Sequence, residues 1–451
     1  MLRLKFIKVN IPNDKQFSKR RQVLKYYRNT WLDRKFLKFC AKIRERMQRT
    51  GVTFVIPPFL RVFRSFFLKD VQTMTIHLIA LGGAVMHNLA LALHHNGHQV
   101  TGSDDEFYEP SRSRLAHAGL LPEKTGWHPD RITPDLDAVI LGMHARADNP
   151  ELRKAQDLGL PIYSFPAFIH DFAKDKQRVV IAGSHGKTTT TAMILHVLNY
   201  WGKKFDYLVG AQLNGFERMV QLSDAPVIIL EGDEYLSSAL DPRPKFVHYR
   251  PHIAVLTGIA WDHMNVFPTF ENYVSQFELL LESMEKGGTL FFYGPDPEIR
   301  QLLQRNSADI IATPYRAFNY KNTGGQAAIL RFGLPYVPLK VFGQHNLSNL
   351  KAAHLVCLEL GITDDQFFEA IQSFEGAAKR LDLFYEDKEN DFSVYKDFAH
   401  APSKVRATVS AVKEQYPNRQ LTACLELHTY SSLNQDFLPQ YQNTLDLADV
   451  A

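Results

Sequence analysis

From residue 74 onward the chain predicts an α/β protein, with parallel sheets laid down in three successive units. Three observations carry this. Short apolar runs alternate with segments of helical periodicity, the pattern of strands joined by crossover helices. The alternation restarts twice, near residues 176 and 341. Composition is that of folded domains, 45% hydrophobic and 22% charged over 451 residues, a length that accommodates several domains of roughly 100–200 residues. Neither an internal repeat nor a low-complexity stretch interrupts the pattern.

The first unit, 74–175, opens on the strand "IHLIAL" (76–81), followed by a helix over 84–97 that stops at Gly97. Strands follow in "HQVTGSD" (98–104), "LDAVILGM" (136–143) and "LPIYSF" (160–165). His94, His95 and His98 read as a solvated cluster at the helix end rather than a metal site. The second unit, 176–340, restarts at "QRVVIAG" (177–183) and continues through "APVIILEGDE" (225–234), "HIAVLTGIAWDHMNVF" (252–267) and "GGTLFFYGPD" (287–296). The third, 341–451, begins at "VFGQHNLSNLKAAHLVCLELGI" and includes "FSVYKDFAHAPSKVRATVSAV" (392–412) and "QLTACLELHTY" (420–430). It stops at "LADVA", which reads as the first residues of another strand, so this unit is expected to be incomplete.

Charge divides the chain unevenly. Residues 1–73 hold 19 Lys/Arg against 4 Asp/Glu, a net of +15 in a chain whose total is +4, so the remainder carries −11. Three readings of this head compete: a nucleic-acid or membrane-surface arm, a transit-like extension, or upstream sequence ahead of a start at Met74, which is preferred. Its apolar piece "FVIPPFLRVFRSFFL" is too short and too interrupted by Pro and Arg to span a bilayer. Cys40, Cys357 and Cys424 form no metal or redox spacing, as expected of a cytoplasmic protein. Neither nucleic acid nor membrane is expected as a partner.

The chemistry starts at "VVIAGSHGKTTTTAMILHVLNYWG" (179–202). A strand runs into a glycine turn and then a helix, the arrangement that cradles phosphate. Gly183 and Gly186 let backbone N–H groups approach phosphate oxygens, and the helix N-terminus adds partial positive charge. Lys187 reaches the outer phosphates and Thr188 offers a hydroxyl to Mg²⁺. Met193, Ile194, Val197 and Leu198 share one face, and Gly202 caps the end. The spacing is G-x-x-G-K-T, shorter than the general phosphate-loop rule, with Ile181 where that rule places glycine. Glu231 stands at one neighbouring strand end with Asp233 and Glu234 just beyond; Asp262 and His263 stand at the next.

Six segments then occur in one order: "GSHGKTTT", "EGDE", "WDHMN", "GQHNLSNLKAA", "FEGAAKRLD" and "DFAHAPSKVRAT". Together they resemble the Mur ligase family over about residues 74–451. The resemblance implies a UDP-sugar-binding Rossmann-like domain, a central phosphate-loop ATPase domain and a Rossmann-like amine-receiving domain, the last truncated here. It implies an ATP- and Mg²⁺-dependent enzyme of cell-wall biosynthesis that joins an amino acid or peptide to a UDP-muramoyl carboxylate. Catalytic roles are implied for Lys187, His263 and Arg380, and metal ligation for Thr188, Glu231 and His263. Nucleotide contacts are implied for Gly183, Ser184, His185, Gly186, Thr189, Asn346, Asn349, Asp397 and His400, alongside Lys187, Thr188 and Arg380. UDP-sugar contacts are implied for Gly83, Ser103, Asp104 and His144.

Within the family, "GMHARADNPELRKAQDLGLPIYSFPAFI" (142–169), "EGDEYLSSALDPRPKFVHYRPH" (231–252) and "ELHTYSSLN" (426–434) resemble members that attach the recycled tripeptide L-Ala-γ-D-Glu-meso-diaminopimelate to UDP-N-acetylmuramate. The nearest alternative is the L-alanine-adding reaction; a non-catalytic nucleotide-binding module is another. A folylpolyglutamate synthase is disfavoured by "TGSD". Departures from the family pattern are Ala80 and His87 in place of glycine, Leu236 after "EGDEY", and Ala401 in place of a second histidine. A monomer or weak dimer is expected.

Overall fold

The computed structural model describes residues 73–451 apart from 324–325 and 378–379; the readings of the basic head lie outside the described residues. The first sheet has four parallel strands in the order Gln99–Ser103, Thr75–Ile79, Ala138–Leu141, Ile162–Ser164. Its helix Ala84–His95 buries Met86, Leu89, Ala90 and Leu93 against it, and Gly97 at φ +87° turns the chain away. A left-handed residue after the last turn is the usual solution to unpaired helix carbonyls. The expected histidine cluster is corrected here. His94 and His95 are exposed, but His98 is buried and its Nδ1 accepts the Met74 N–H at 3.2 Å, which ties the strand ends together.

The central sheet has seven strands in the order Ile310–Tyr315, Gly288–Tyr293, Ile253–Leu256, Gln177–Ala182, Val227–Glu231, Asp206–Leu208, Val220–Gln221. All neighbours are parallel except the last pair. Crossovers with helices on both faces explain why these strands read as continuous apolar runs rather than alternating ones. Gln177–Ala182 lies in the middle, so its carboxyl end, where the phosphate turn begins, is flanked by two other strand ends.

The helix Lys187–Tyr200 follows that turn and is buried on nearly every side, including Thr190, Thr191, Met193, Ile194 and Val197. Gly202 at φ +61° ends it, with Lys203 N–H returning to the Leu198 carbonyl at 2.9 Å. The reason for such complete burial is the helix Gln344–Glu359, which packs on its outer face through Leu347, Leu350, Ala353 and Val356. Sequence assigned that helix to the opening of the third unit; physically it shares the central core.

Beyond it the described strands are few. Asp382–Asp387 and Phe392–Lys396 form an antiparallel pair, and the helix Pro402–Gln415 follows. The "LADVA" segment does begin pairing as expected: Val450 bridges Thr422 in parallel, with Ala423 N–H on the Val450 carbonyl at 2.8 Å. Among the described residues, no helix is long and apolar enough to cross a membrane.

Candidate active site

Two glycines shape the phosphate turn, each for a double reason. Gly183 has φ +120°, and a Cβ there would sit 2.3 Å from Thr257 Oγ1; Gly186 has φ +76°, and a Cβ there would sit 2.1 Å from Asn349 Oδ1. L side chains rarely enter these conformations. Between them the chain delivers Lys187, whose Nζ donates to the Gly183 carbonyl at 2.7 Å and to Glu234 Oε2 at 2.9 Å. Burial alone would push the Lys187 ammonium down, yet Glu234, Asp233 and Glu231 together hold it above its ordinary value. Lys187 is therefore a fixed positive charge at neutral pH.

Glu234 is itself almost fully buried, and its second oxygen accepts from Tyr273 OH at 3.1 Å. Tyr273 in turn shares a 2.8 Å hydrogen bond with Ser184 Oγ, which accepts the Ala260 N–H at 2.8 Å. This chain fixes the carboxylate that aims the lysine. Sequence had placed Glu234 merely beyond Glu231 and had not singled out Tyr273. The only available signal was its position on the inward stripe of the helix Phe270–Ser283, which also serves any core aromatic.

Thr188 Oγ1 donates to Glu231 Oε1 at 2.6 Å, and Glu231 Oε2 accepts the Gly210 N–H at 2.7 Å. Two hard oxygen donors at the rim of a phosphate loop suit Mg²⁺, which takes few protein ligands and completes its shell with phosphate oxygens and water. His263 lines the same cavity, with its ring against Tyr235 at 4.8 Å and Nε2 3.7 Å from Asp262 Oδ2. Among the described residues, no group of three or more His, Cys, Asp and Glu side chains is arranged to hold a metal. Thr188 and Glu231 are oxygen donors that could hold such an ion, with His263 in the same cavity.

The cavity measures about 720 Å³ and is walled from several directions. The phosphate turn contributes Ser184 to Thr189, the helix Gln344–Glu359 contributes Asn346 and Asn349, and the later chain contributes Arg380, Asp397 and His400. The Arg380 guanidinium lies over the Phe398 ring at 5.1 Å, and Asn346 Nδ2 donates to the Phe342 carbonyl at 2.9 Å. His185 Nε2 with Ser403 Oγ at 2.6 Å joins the turn to the helix Pro402–Gln415, and Lys404 Nζ with Asp262 Oδ2 at 3.0 Å joins that helix to the loop after Ile253–Leu256. Burial, reinforced by Lys404, pushes His185 down to about 3, so it is neutral here. Although burial opposes it, Lys404 holds Asp262 down at about 2. Neither Ser403 nor Lys404 was singled out from sequence.

The implied UDP-sugar residues do not line this cavity. Gly83 precedes the helix Ala84–His95, and Ser103 is buried at its strand end, accepting from Arg131 Nη1 at 3.1 Å. Asp104 Oδ2 takes the Gly82 N–H at 2.6 Å, and His144 is exposed near it. These four share the carboxyl edge of the first sheet, which reaches the cavity only through Val85 and Phe165. Ala80, where relatives tend to have glycine, still adopts a left-handed φ of +65°.

A nucleotide-phosphate turn at the middle of a parallel sheet, facing a carboxylate pair and cations from a later segment, defines a nucleotide-dependent group-transfer enzyme. The comparisons say which kind. Residues 75–177 match the Mur ligase family catalytic domain, and residues 181–357 match the Mur ligase middle domain. The chain belongs to the Mur ligase family, whose members are ATP-dependent amide ligases of peptidoglycan synthesis. It is 32% identical over 379 residues to the UDP-N-acetylmuramate–L-alanine ligase of Polaromonas naphthalenivorans (strain CJ2), covering 80% of this chain and 77% of the relative. It is 28% identical over 348 residues to the UDP-N-acetylmuramate–L-alanyl-gamma-D-glutamyl-meso-2,6-diaminoheptandioate ligase of Escherichia coli (strain K12), covering 75% and 76%. The crystal structure of a murein peptide ligase from Psychrobacter arcticus 273-4 aligns with a TM-score of 0.64 at 26% identity, covering 83% of each chain.

Proposed function

We propose that this enzyme joins the tripeptide L-Ala-γ-D-Glu-meso-diaminopimelate to UDP-N-acetylmuramate at the expense of ATP, in the cytoplasm, as a step of peptidoglycan recycling. The observation that carries the choice of amine is the seat of residues 426–434, the segment that resembles peptide-adding relatives. Its Ser431 Oγ accepts the Met264 N–H at 3.2 Å, one residue from His263, and Ser431 and Ser432 are buried. Phe437, just beyond, meets Trp261 edge-on at 6.2 Å. A segment so placed packs against the loop that bears His263, which supports a part for it in meeting the incoming amine.

An amine does not attack a carboxylate at neutral pH unless the carboxylate is activated. In the proposed route the γ-phosphoryl group passes to the muramoyl carboxylate: the bond to the bridging oxygen breaks, its electron pair leaves with ADP, and an acyl phosphate forms. The peptide's neutral amine then adds to the acyl carbon, phosphate departs with the electrons of the C–O bond, and the proton lost from nitrogen leaves with the phosphate. Positioning and charge neutralisation dominate such chemistry. Lys187, held on Glu234, and Arg380, held over Phe398, oppose the charge on the moving group. Asn346, Asn349, Asp397 and His400 hold the nucleotide. Thr188 and Glu231, with His263 in the same cavity, would hold Mg²⁺, and the ion would supply further charge neutralisation.

The 32% identity to an L-alanine-adding relative favours a second reading, in which the amine is L-alanine. Phosphate release from ATP with UDP-N-acetylmuramate, offering tripeptide and L-alanine in parallel, separates the two. Release with the tripeptide alone supports the proposal; release with L-alanine alone replaces it by the second reading. Silence with both refutes both. In whichever reaction proceeds, Lys187→Ala is expected to lower kcat by about three orders of magnitude or more, since one well-placed charge in a dry site contributes about 4 kcal/mol.

A further inference from the structure

We infer that Lys404 is a catalytic lysine, a second cation carried to the phosphoryl-transfer site by the helix Pro402–Gln415. The inference rests on the ligase chemistry proposed above but not on which amine is used. Lys404 reaches the same cavity as Lys187 and Glu234 from a segment at least 170 positions further along the chain, and its side chain is only 20% exposed. Its Nζ has one carboxylate partner, Asp262 Oδ2 at 3.0 Å, on the loop that also bears His263. Burying an ammonium costs several kcal/mol, and a single ion pair seldom returns more than that cost. A lysine that served only to hold two segments together would be replaceable by an apolar contact. The neighbours of Lys404 point elsewhere: Ser403 is hydrogen-bonded to His185 of the phosphate turn, and His185 Nδ1 is buried with no partner. Ser403, Lys404 and His185 thus line the same cavity as Lys187.

In the step assigned to Lys404 no proton moves. The γ-phosphorus exchanges its bond to the bridging oxygen for a bond to the muramoyl carboxylate oxygen, and the electron pair leaves with ADP. The Lys404 ammonium touches the transferring phosphoryl oxygens and neutralises charge that Lys187 and Arg380 oppose from other sides. Asp262 keeps the ammonium in place until the nucleotide arrives.

Lys404→Met, Lys404→Arg and Asp262→Asn, each in the full chain, test this. The readouts are the affinities for ADP and for the β,γ-imido analogue of ATP, kcat and KM in phosphate release, and the thermal midpoint. For Lys404→Met the expectation is a kcat lower by about 100-fold, an unchanged affinity for ADP, and a roughly tenfold loss of preference for the triphosphate analogue over ADP. Lys404→Arg is expected to recover part of both losses, and Asp262→Asn to retain the triphosphate preference. The inference is overturned if Lys404→Met keeps that preference. It is also overturned if Asp262→Asn reproduces every loss of Lys404→Met together with an equal fall in midpoint, the outcome of a mere latch. A wild-type chain that releases phosphate with neither amine would refute the proposed function, while the ADP-to-triphosphate comparison would still decide the role of Lys404.

Discussion

Gly183 shows how one residue can be fixed by two unrelated constraints. Its φ of +120° excludes L side chains, and the space where a Cβ would stand is held by the Thr257 hydroxyl and amide. Gly183→Ala is expected to cost about 2–3 kcal/mol through backbone strain and displacement of Thr257. Nucleotide binding should vanish with it, since Gly183 also carries the carbonyl that anchors Lys187. Urea unfolding and a nucleotide titration check the two halves separately. At this scale the sequence was informative wherever a residue type has few other uses. Glycine, lysine and threonine after an apolar strand have one common purpose, so Lys187 and Thr188 were legible. Lys404 was not, because a lysine in the first turn of a helix is ordinarily a solvated surface residue. Only the crossing of distant segments buries it.

Among elements, the helix Pro150–Asp157 makes the physical logic plainest. Asn149 Oδ1 accepts the N–H groups of Glu151 at 2.9 Å and Leu152 at 3.1 Å, a side-chain cap ahead of a proline at the first turn. Asn149→Ala should cost about 1 kcal/mol. Two residues on, Glu151 is wholly buried between His77 Nε2 at 3.3 Å and the His128 N–H at 2.7 Å. Burial alone would raise its carboxyl, but His77, the His128 amide and Ser103 hold it below the ordinary 4.5. A carboxylate depressed in the folded state adds stability that is present above its unfolded value and lost as pH falls through the folded one. Glu151→Gln is therefore expected to lose on the order of 2 kcal/mol at neutral pH. The gap from wild type should close in acid, below pH 4.5, in stability curves measured against pH. Element ends were legible where glycine marks them, as at Gly97 and Gly202. The stretch after Gln415 was not, since its order depends on pairings such as Thr422 with Val450 rather than on local periodicity.

Across the whole molecule, groups from three stretches of chain line one cavity: Lys187 and Glu231, then Asn349, then Arg380 and Lys404. Binding the imido analogue of ATP should accordingly slow amide hydrogen exchange in residues 401–405 as well as in 183–190, and an effect confined to the turn would contradict a shared site. The α/β class and the parallel sheets of the first two units were readable, because alternation is a property of the sequence itself; the antiparallel pairing of Asp382–Asp387 with Phe392–Lys396, where a third parallel sheet was expected, was not. Nor was it readable which strands become neighbours. That order depends on which crossovers pass over each face, and those choices are made by packing.

The central place of Gln177–Ala182 has a kinetic corollary. Neither neighbour of this strand precedes it in the chain: Val227–Glu231 follows about 50 residues later and Ile253–Leu256 about 75. During synthesis the phosphate turn exists as sequence long before it exists as a site, since its strand has no partner on either side. Non-local parallel pairing of this kind forms slowly. A ribosome-bound chain should therefore gain no grip on nucleotide until residues beyond 257 have emerged, and its full grip only after the residues through 404 that line the same cavity have followed.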